Sequence, residues 1–255
     1  MRFRKYLYRV LLRSGKIAHH CAGDDGEMSL MRSMNLSLKD VKRIITENRR
    51  QYLILNLVYF GLVLVSAIYS SLNPSLVQWL KEGTAQALTN GGPLVMVADA
   101  YISGDFLAAV VLTFIINLVL GAILYITLPS MVVPFFGLLM GSFRAVLWGV
   151  LVLSIIPFEA YSVPAWLTML VEGEAYILAM LAAYIQGKAF LWPESVGAAT
   201  RRQGYAKGLT ATWKLYVLIV LVLAVAAIWE AFAVIYLMPM LGSPSLSMRI
   251  QSIMS

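Results

Sequence analysis

The chain has 255 residues, of which 60% are hydrophobic and only 13% charged, against about 25% charged in a soluble domain. That polar surface is too small to coat a water-soluble globule, so the composition is that of an integral membrane protein. The net charge of +7 sits mostly in one segment, which makes it a topology signal and excludes a nucleic-acid footprint. Cys21 alone cannot form an intrachain disulfide, and with only His19 and His20 beside it no metal site or cofactor is expected.

Residues 1–52 read as a basic cytoplasmic segment. Phe3, Tyr6, Leu7, Val10 and Leu11 recur at helical spacing between basic residues, the pattern of a helix lying in the headgroup plane. Arginines interrupt the apolar stretches too often for a cleavable signal. A second amphipathic helix starts at Ser37, with Asp40 completing the cap. Leu38, Val41 and Ile45 form one face, while Lys39, Lys42, Arg43, Arg49 and Arg50 crowd the rest. This basic face is a docking surface either for anionic lipid or for a cytoplasmic partner.

Five apolar runs are long enough to cross about 30 Å of hydrocarbon: 53–72, 106–128, 132–156, 164–192 and 213–240. Each is predicted helical, because backbone exposed to lipid must satisfy its own hydrogen bonds. The breaks fall at Asn73-Pro74, Pro129, Pro157 and Pro164, and Trp192-Pro193. Between the first two runs, Leu76, Val77, Trp79, Leu80 and Leu88 give an interfacial helix ending near Asn90-Gly91-Gly92-Pro93. Asp99 and Asp105 read as solvated loop residues. The fold class is therefore an all-α, polytopic transmembrane bundle of five spans plus interfacial amphipathic helices. Residues 53–240 form the membrane domain and 241–255 a short external tail.

Lys and Arg are abundant before the first span and again at Arg201, Arg202 and Lys207, whereas the 73–105 connection has only Lys81. The bias places the N-terminus in the cytoplasm and, after five spans, the C-terminus outside.

Within the spans, Gly137, Gly141, Ala145 and Gly149 recur every four residues, as do Ala175, Ala179, Ala183 and Gly187. Such small-residue ridges let helix backbones approach closely, so the third and fourth spans are expected to pack as an antiparallel hairpin. Arg144, Glu172 and Glu174 then lie at depths of about 18, 12 and 15 Å from the shared outer end, at 1.5 Å per residue. Helical geometry makes Glu172 the nearer partner of Arg144, because Glu174 points away from the ridge. Asn117 and Glu230 lie at comparable depth. The buried polar cluster is thus Asn117, Arg144, Glu172, Glu174 and Glu230. It serves either as a structural network fixing helix register or as a hydrated, proton-sensitive site.

A basic segment ending in Asn48-Arg49-Arg50 precedes the first span and an amphipathic outer connection. An Asn-bearing span (FIINLVLGAIL), a Gly-rich span (FFGLLMGSFRAVLWG) and a Glu-bearing, Ala-rich span ending in FLWP follow. This order, from about residue 44 to 240, resembles the stage II sporulation protein M family of five-span membrane proteins. The resemblance implies a non-enzymatic accessory subunit of an envelope or membrane-assembly complex. Its partners would be envelope proteins or, in an alternative, a separate ATP-binding subunit driving an exporter, for which a homodimer of permeases is expected. It also marks Glu174 as the family carboxylate, although Leu170 and Val171 stand where the family carries His-Gly. The chain has no phosphate-binding G-x-x-x-x-G-K-[ST] loop, no H-E-x-x-H and no arguable Ser/His/Asp arrangement, so no catalytic residue is assigned.

Overall fold

A computed structural model describes residues 38–89, 92–155 and 162–243. The chain divides into two units, Met1–Arg43 and Ile44–Ser255. In the first, residues 38–43 are helical, and Arg43 pairs with Asp40 at 3.0 Å. The amphipathic helix expected over residues 3–11, the Ser37 cap, the His19-His20-Cys21 triplet and most of the 241–255 tail lie outside the described residues.

The second unit is helical, with no strand among the described residues. Its elements are α1 (Arg49–Ser71), α2 (Pro74–Thr89), α3 (Pro93–Ser103), α4 (Phe106–Val132), α5 (Phe136–Ile155), α6 (Val163–Leu191) and α7 (Arg201–Met240). Starts follow local chemistry. Proline opens α2, α3 and α6, where its missing N–H has no intrahelical partner to lose. The Asp105 carboxylate accepts from the Ala108 N–H at 3.0 Å and caps α4, so this residue, expected in a solvated loop, starts a span. Thr200 accepts from the Gln203 N–H at 3.3 Å, and Gln203 Oε1 accepts from the Ala199 N–H at 3.1 Å, a reciprocal cap on α7.

Four helices, α1, α4, α6 and α7, are long and apolar enough to cross a membrane, and α5 contributes a shorter apolar stretch, Phe136–Leu151. The described residues are those of an all-helical membrane protein. Several boundaries depart from the sequence expectation. The second span runs through Pro129 to Val132, and the break falls at residues 133–135, where Pro134 lacks a donor and Phe135 adopts φ +68°. The third helix therefore starts at Phe136, not Val132. The 193–212 connection is mostly helix, because α7 begins at Arg201. At 40 residues α7 is about 60 Å long, twice the hydrocarbon thickness, so its basic N-terminal turns extend beyond the apolar core. The 73–105 connection holds two helices, α2 and α3, not one.

The axis of the bundle is α6. Of its most apolar stretch 78% is buried, against 22–33% for α1, α4 and α7. Small residues make this enclosure achievable. On α7, Gly204 lies against the Ala189 carbonyl and Gly208 against Gln186. The Thr212 hydroxyl donates to the Ala182 carbonyl at 3.4 Å, and Trp229 Nε1 donates to the Pro164 carbonyl at 3.1 Å. The two ridges do not simply face each other. A methyl group on Gly137 would meet the Ile126 carbonyl and the Ala183 Cβ, and one on Gly141 would meet Met180. One on Gly149 would strike Ser66 and the Val63 carbonyl of α1. The glycine ridge of α5 is shared between α4, α6 and α1. On α6, Ala175, Ala179 and Ala183 are fully covered, but so are Ile177 and Leu181 on other faces, and Gly187 receives the Phe135 ring.

Candidate buried polar centre

Glu172 lies in the third turn of α6 and is 2% exposed. Its Oε1 accepts a short hydrogen bond from Asn117 Nδ2 of α4, and Glu230 of α7 lies near enough for its charge to act on it. The Tyr101 hydroxyl of α3, in the electrostatic neighbourhood of Glu230, lies 3.0 Å from Thr113 Oγ1. Two hydrogen-bonded pairs, Tyr101 with Thr113 and Asn117 with Glu172, thus lie near Glu230, in a polar region contributed by α3, α4, α6 and α7.

The presentation of Asn117 has a local cause. Residues Ile116–Thr127 of α4 form a π-helix, a widened turn geometry often found at functional sites. A methyl group on Gly121, in the same segment, would sit 3.0 Å from Tyr176 Cε1 and 3.1 Å from its hydroxyl oxygen. Glycine thus admits the Tyr176 ring beside the helix while Asn117 reaches Glu172.

Arg144 does not pair with Glu172. Its Nη2 donates to the Tyr176 hydroxyl at 2.6 Å, and its guanidinium carbon lies 3.9 Å from the Tyr176 ring centroid and 6.0 Å from that of Trp148. Among the described residues no carboxylate forms an ion pair with it. Residues 175–183 of α6 are buried on every face, so its small-residue ridge marks no single partner direction, and Glu172 turns to Asn117 of the π-helix. Arg144 still lies near enough for its charge to act on Glu172.

Glu174 stands apart from the centre. It is partly buried and accepts from the Tyr52 hydroxyl of α1 at 2.6 Å. Of the five sequence-derived cluster residues, the fold thus joins Asn117 and Glu172, with Glu230 near them, sets Arg144 beside them on Tyr176, and directs Glu174 to another helix. Sequence reading missed Tyr101, Thr113 and Tyr176. Tyr176 follows Glu172 by one helical turn, a spacing that could have flagged it; Tyr101 lies in α3, which was not anticipated.

The basic positions Lys39, Lys42, Arg43, Arg49 and Arg50 are all exposed. No group of three or more His, Cys, Asp or Glu able to hold a metal occurs among the described residues. No family model matches this chain, and no curated protein or solved structure is significantly similar to it.

Proposed function

We infer that this chain is the membrane-embedded, non-enzymatic subunit of a transport complex, with the polar centre around Glu172 on the transported path. The observation that carries this reading is the Glu172 carboxyl, 2% exposed inside an apolar bundle and held by the neutral amide of Asn117, while Arg144 is engaged by Tyr176. An ion pair would have served helix register alone. Carboxyls inside membrane helices that lack such a partner mark ion or substrate pathways. The reading takes α5 as a fifth span, with the N-terminus cytoplasmic as the Lys and Arg bias indicates. It sets the exposed basic residues Lys39, Lys42, Arg43, Arg49 and Arg50 at the cytoplasmic surface, where an ATP-binding partner would dock. The order of spans that resembles the stage II sporulation protein M family supports a subunit role within a larger envelope assembly.

The test compares a deletion strain of the native host with strains restored by wild type, Glu172→Gln or Glu230→Gln at equal membrane levels. Small molecules and peptides in cells and medium are profiled by mass spectrometry. Wild type should restore the profile and both variants should fail. A profile unaffected by deletion, or restored by both variants, overturns the transport reading.

A further inference from the structure

Gln186, near the end of α6, is 2% exposed, yet neither its Nε2 nor its Oε1 has a hydrogen-bond partner among the described residues. Buried polar side chains are paired in the large majority of cases, and an unpaired one loses its hydration without recompense. An apolar side chain of the same shape would avoid that loss. Packing holds the amide in place instead: a methyl group on Gly208 of α7 would lie 3.1 Å from Oε1 and from the Gln186 Cα, so the absence of a side chain there gives the amide its room.

The same residue lines a cavity of about 70 Å³ at the break between α4 and α5. Val132, on its rim, is 78% exposed, so the cavity reaches the surface there while Gln186 lies at its inner side. The volume holds about five water molecules, or the end group of a small solute, and is about half of what encloses a benzene ring. None of the lining side chains described is charged. The Tyr205 hydroxyl donates to the Met131 carbonyl at 3.3 Å, and its oxygen can also accept. Ser130 Oγ accepts from the Gly137 N–H at 2.8 Å. Pro134, four residues after Ser130, has no N–H to return to the Ser130 carbonyl.

We propose that this cavity binds the primary carboxamide group of a small molecule. A glutamine amide presents a donor and an acceptor side by side, so its match offers an acceptor and a donor along one edge, the two-point pairing with which glutamine reads adenine. A nucleobase is too large for the cavity. A carboxylate offers acceptors only and brings a charge that the lining does not balance. A carboxamide meets both atoms: its carbonyl accepts from Nε2, one N–H donates to Oε1, and the second N–H has the Ser130 carbonyl and the Tyr205 oxygen as acceptors. The site lies about 21 Å along α6 from Glu172, at 1.5 Å per residue, and is independent of the transport reading.

Saturation-transfer NMR of the purified protein in lipid nanodiscs, titrated with acetamide, tests the site. Wild type should give a saturable signal. N,N-dimethylacetamide keeps the carbonyl and lacks both N–H groups, and it should bind about tenfold more weakly or worse, the worth of one or two hydrogen bonds. Acetamide should lose at least as much on Gln186→Leu. If that variant fails to fold, Gln186→Met, unbranched like glutamine, replaces it. Equal binding by wild type and variant, or by the two amides, overturns the site. Absence of saturable acetamide binding to wild type also overturns it and leaves the cavity to water. These readouts follow binding alone, so failure of the site and failure of the transport reading are separate results.

Discussion

Arg144 and Tyr176 meet in two ways at once: a 2.6 Å hydrogen bond from Nη2 to the hydroxyl, and a guanidinium carbon 3.9 Å from the ring centroid. Delocalised charge over an aromatic face is favourable by about 0.5–1 kcal/mol at exposed sites and about 2 or more where water is excluded. The tyrosine therefore does part of the work expected of a carboxylate. Glu172, four residues earlier on α6, is left to Asn117 on the π-helix of α4. The neutral partner of the arginine and the neutral partner of the carboxyl are two sides of one arrangement.

The first prediction separates this arrangement from a buried ion pair. Removing one member of a true pair costs about 3–5 kcal/mol, and removing both can be nearly neutral. Here Arg144→Leu should destabilise the detergent-solubilised protein. Tyr176→Phe should do so by about 1.5–3 kcal/mol, the range for a hydrogen bond to a charged group. The Arg144→Leu/Glu172→Leu double variant should show no recovery over Arg144→Leu. Thermal melts of the four proteins decide it, and a recovery would restore the direct pairing.

The helices and the polar layer were legible because they rest on local or collective signals. Hydropathy marks α1, α4, α6 and α7, and carboxyls in apolar runs stand out in any register. Partner choice was not legible. Helical geometry on α6 gave directions for Glu172 and Glu174 relative to one ridge, but Glu172 meets Asn117 of α4 and Glu174 meets Tyr52 of α1, on helices other than α5. The π-helical turn at Ile116–Thr127 has no simple sequence signature, and it decides where Asn117 and Gly121 point. Proline was read as a break at Pro129, whereas the chain turns only at Pro134, where the left-handed Phe135 packs on Gly187. The start of α7 was within reach, since Thr200 and Gln203 stand at capping-box spacing.

Glycines should divide sharply by environment. A Cβ on Gly137 would crowd the Ile126 carbonyl and approach the Ala183 Cβ at 2.9 Å, whereas one on Gly61 meets nothing within 4 Å. Overpacking costs about 1–3 kcal/mol, so Gly137→Ala should lower the melting temperature. Gly61→Ala, in the middle of α1, should raise stability by about 0.4–1 kcal/mol through the unfolded chain. Equal effects at the two positions would show that α5 does not pack as closely on α4 and α6 as described.

Topology gives an independent check on α5. If it spans, a reporter active only outside the cytoplasm should work within residues 90–93 and after Ser255. It should fail at Gly197, whose φ of +61° places it in a turn between a 3₁₀ helix, Pro193–Val196, and α7. Activity at Gly197 together with activity at 90–93 would mean that the chain does not cross the membrane an odd number of times between them.

Glu174 provides the last contrast. It accepts from Tyr52 at 2.6 Å and, unlike Glu172, has a tyrosine donor on a neighbouring helix and partial exposure. Its role is then to tie α6 to α1, a link that a glutamine can keep, since its carbonyl still accepts from the phenol. Tyr52→Phe removes the donor while preserving the ring, and should cost about 1.5–3 kcal/mol, less if water reaches the carboxylate. Glu174→Gln should be milder than Tyr52→Phe. Adding Glu174→Gln to Tyr52→Phe should cost little more than Tyr52→Phe alone, because both act on the same bond. Melting curves of the two single variants and the double variant measure that coupling. Strictly additive losses, or a Glu174→Gln defect larger than that of Tyr52→Phe, would mean that the carboxylate acts on something other than Tyr52. Glu174 would then join Glu172 and Glu230 as a candidate for the transported path.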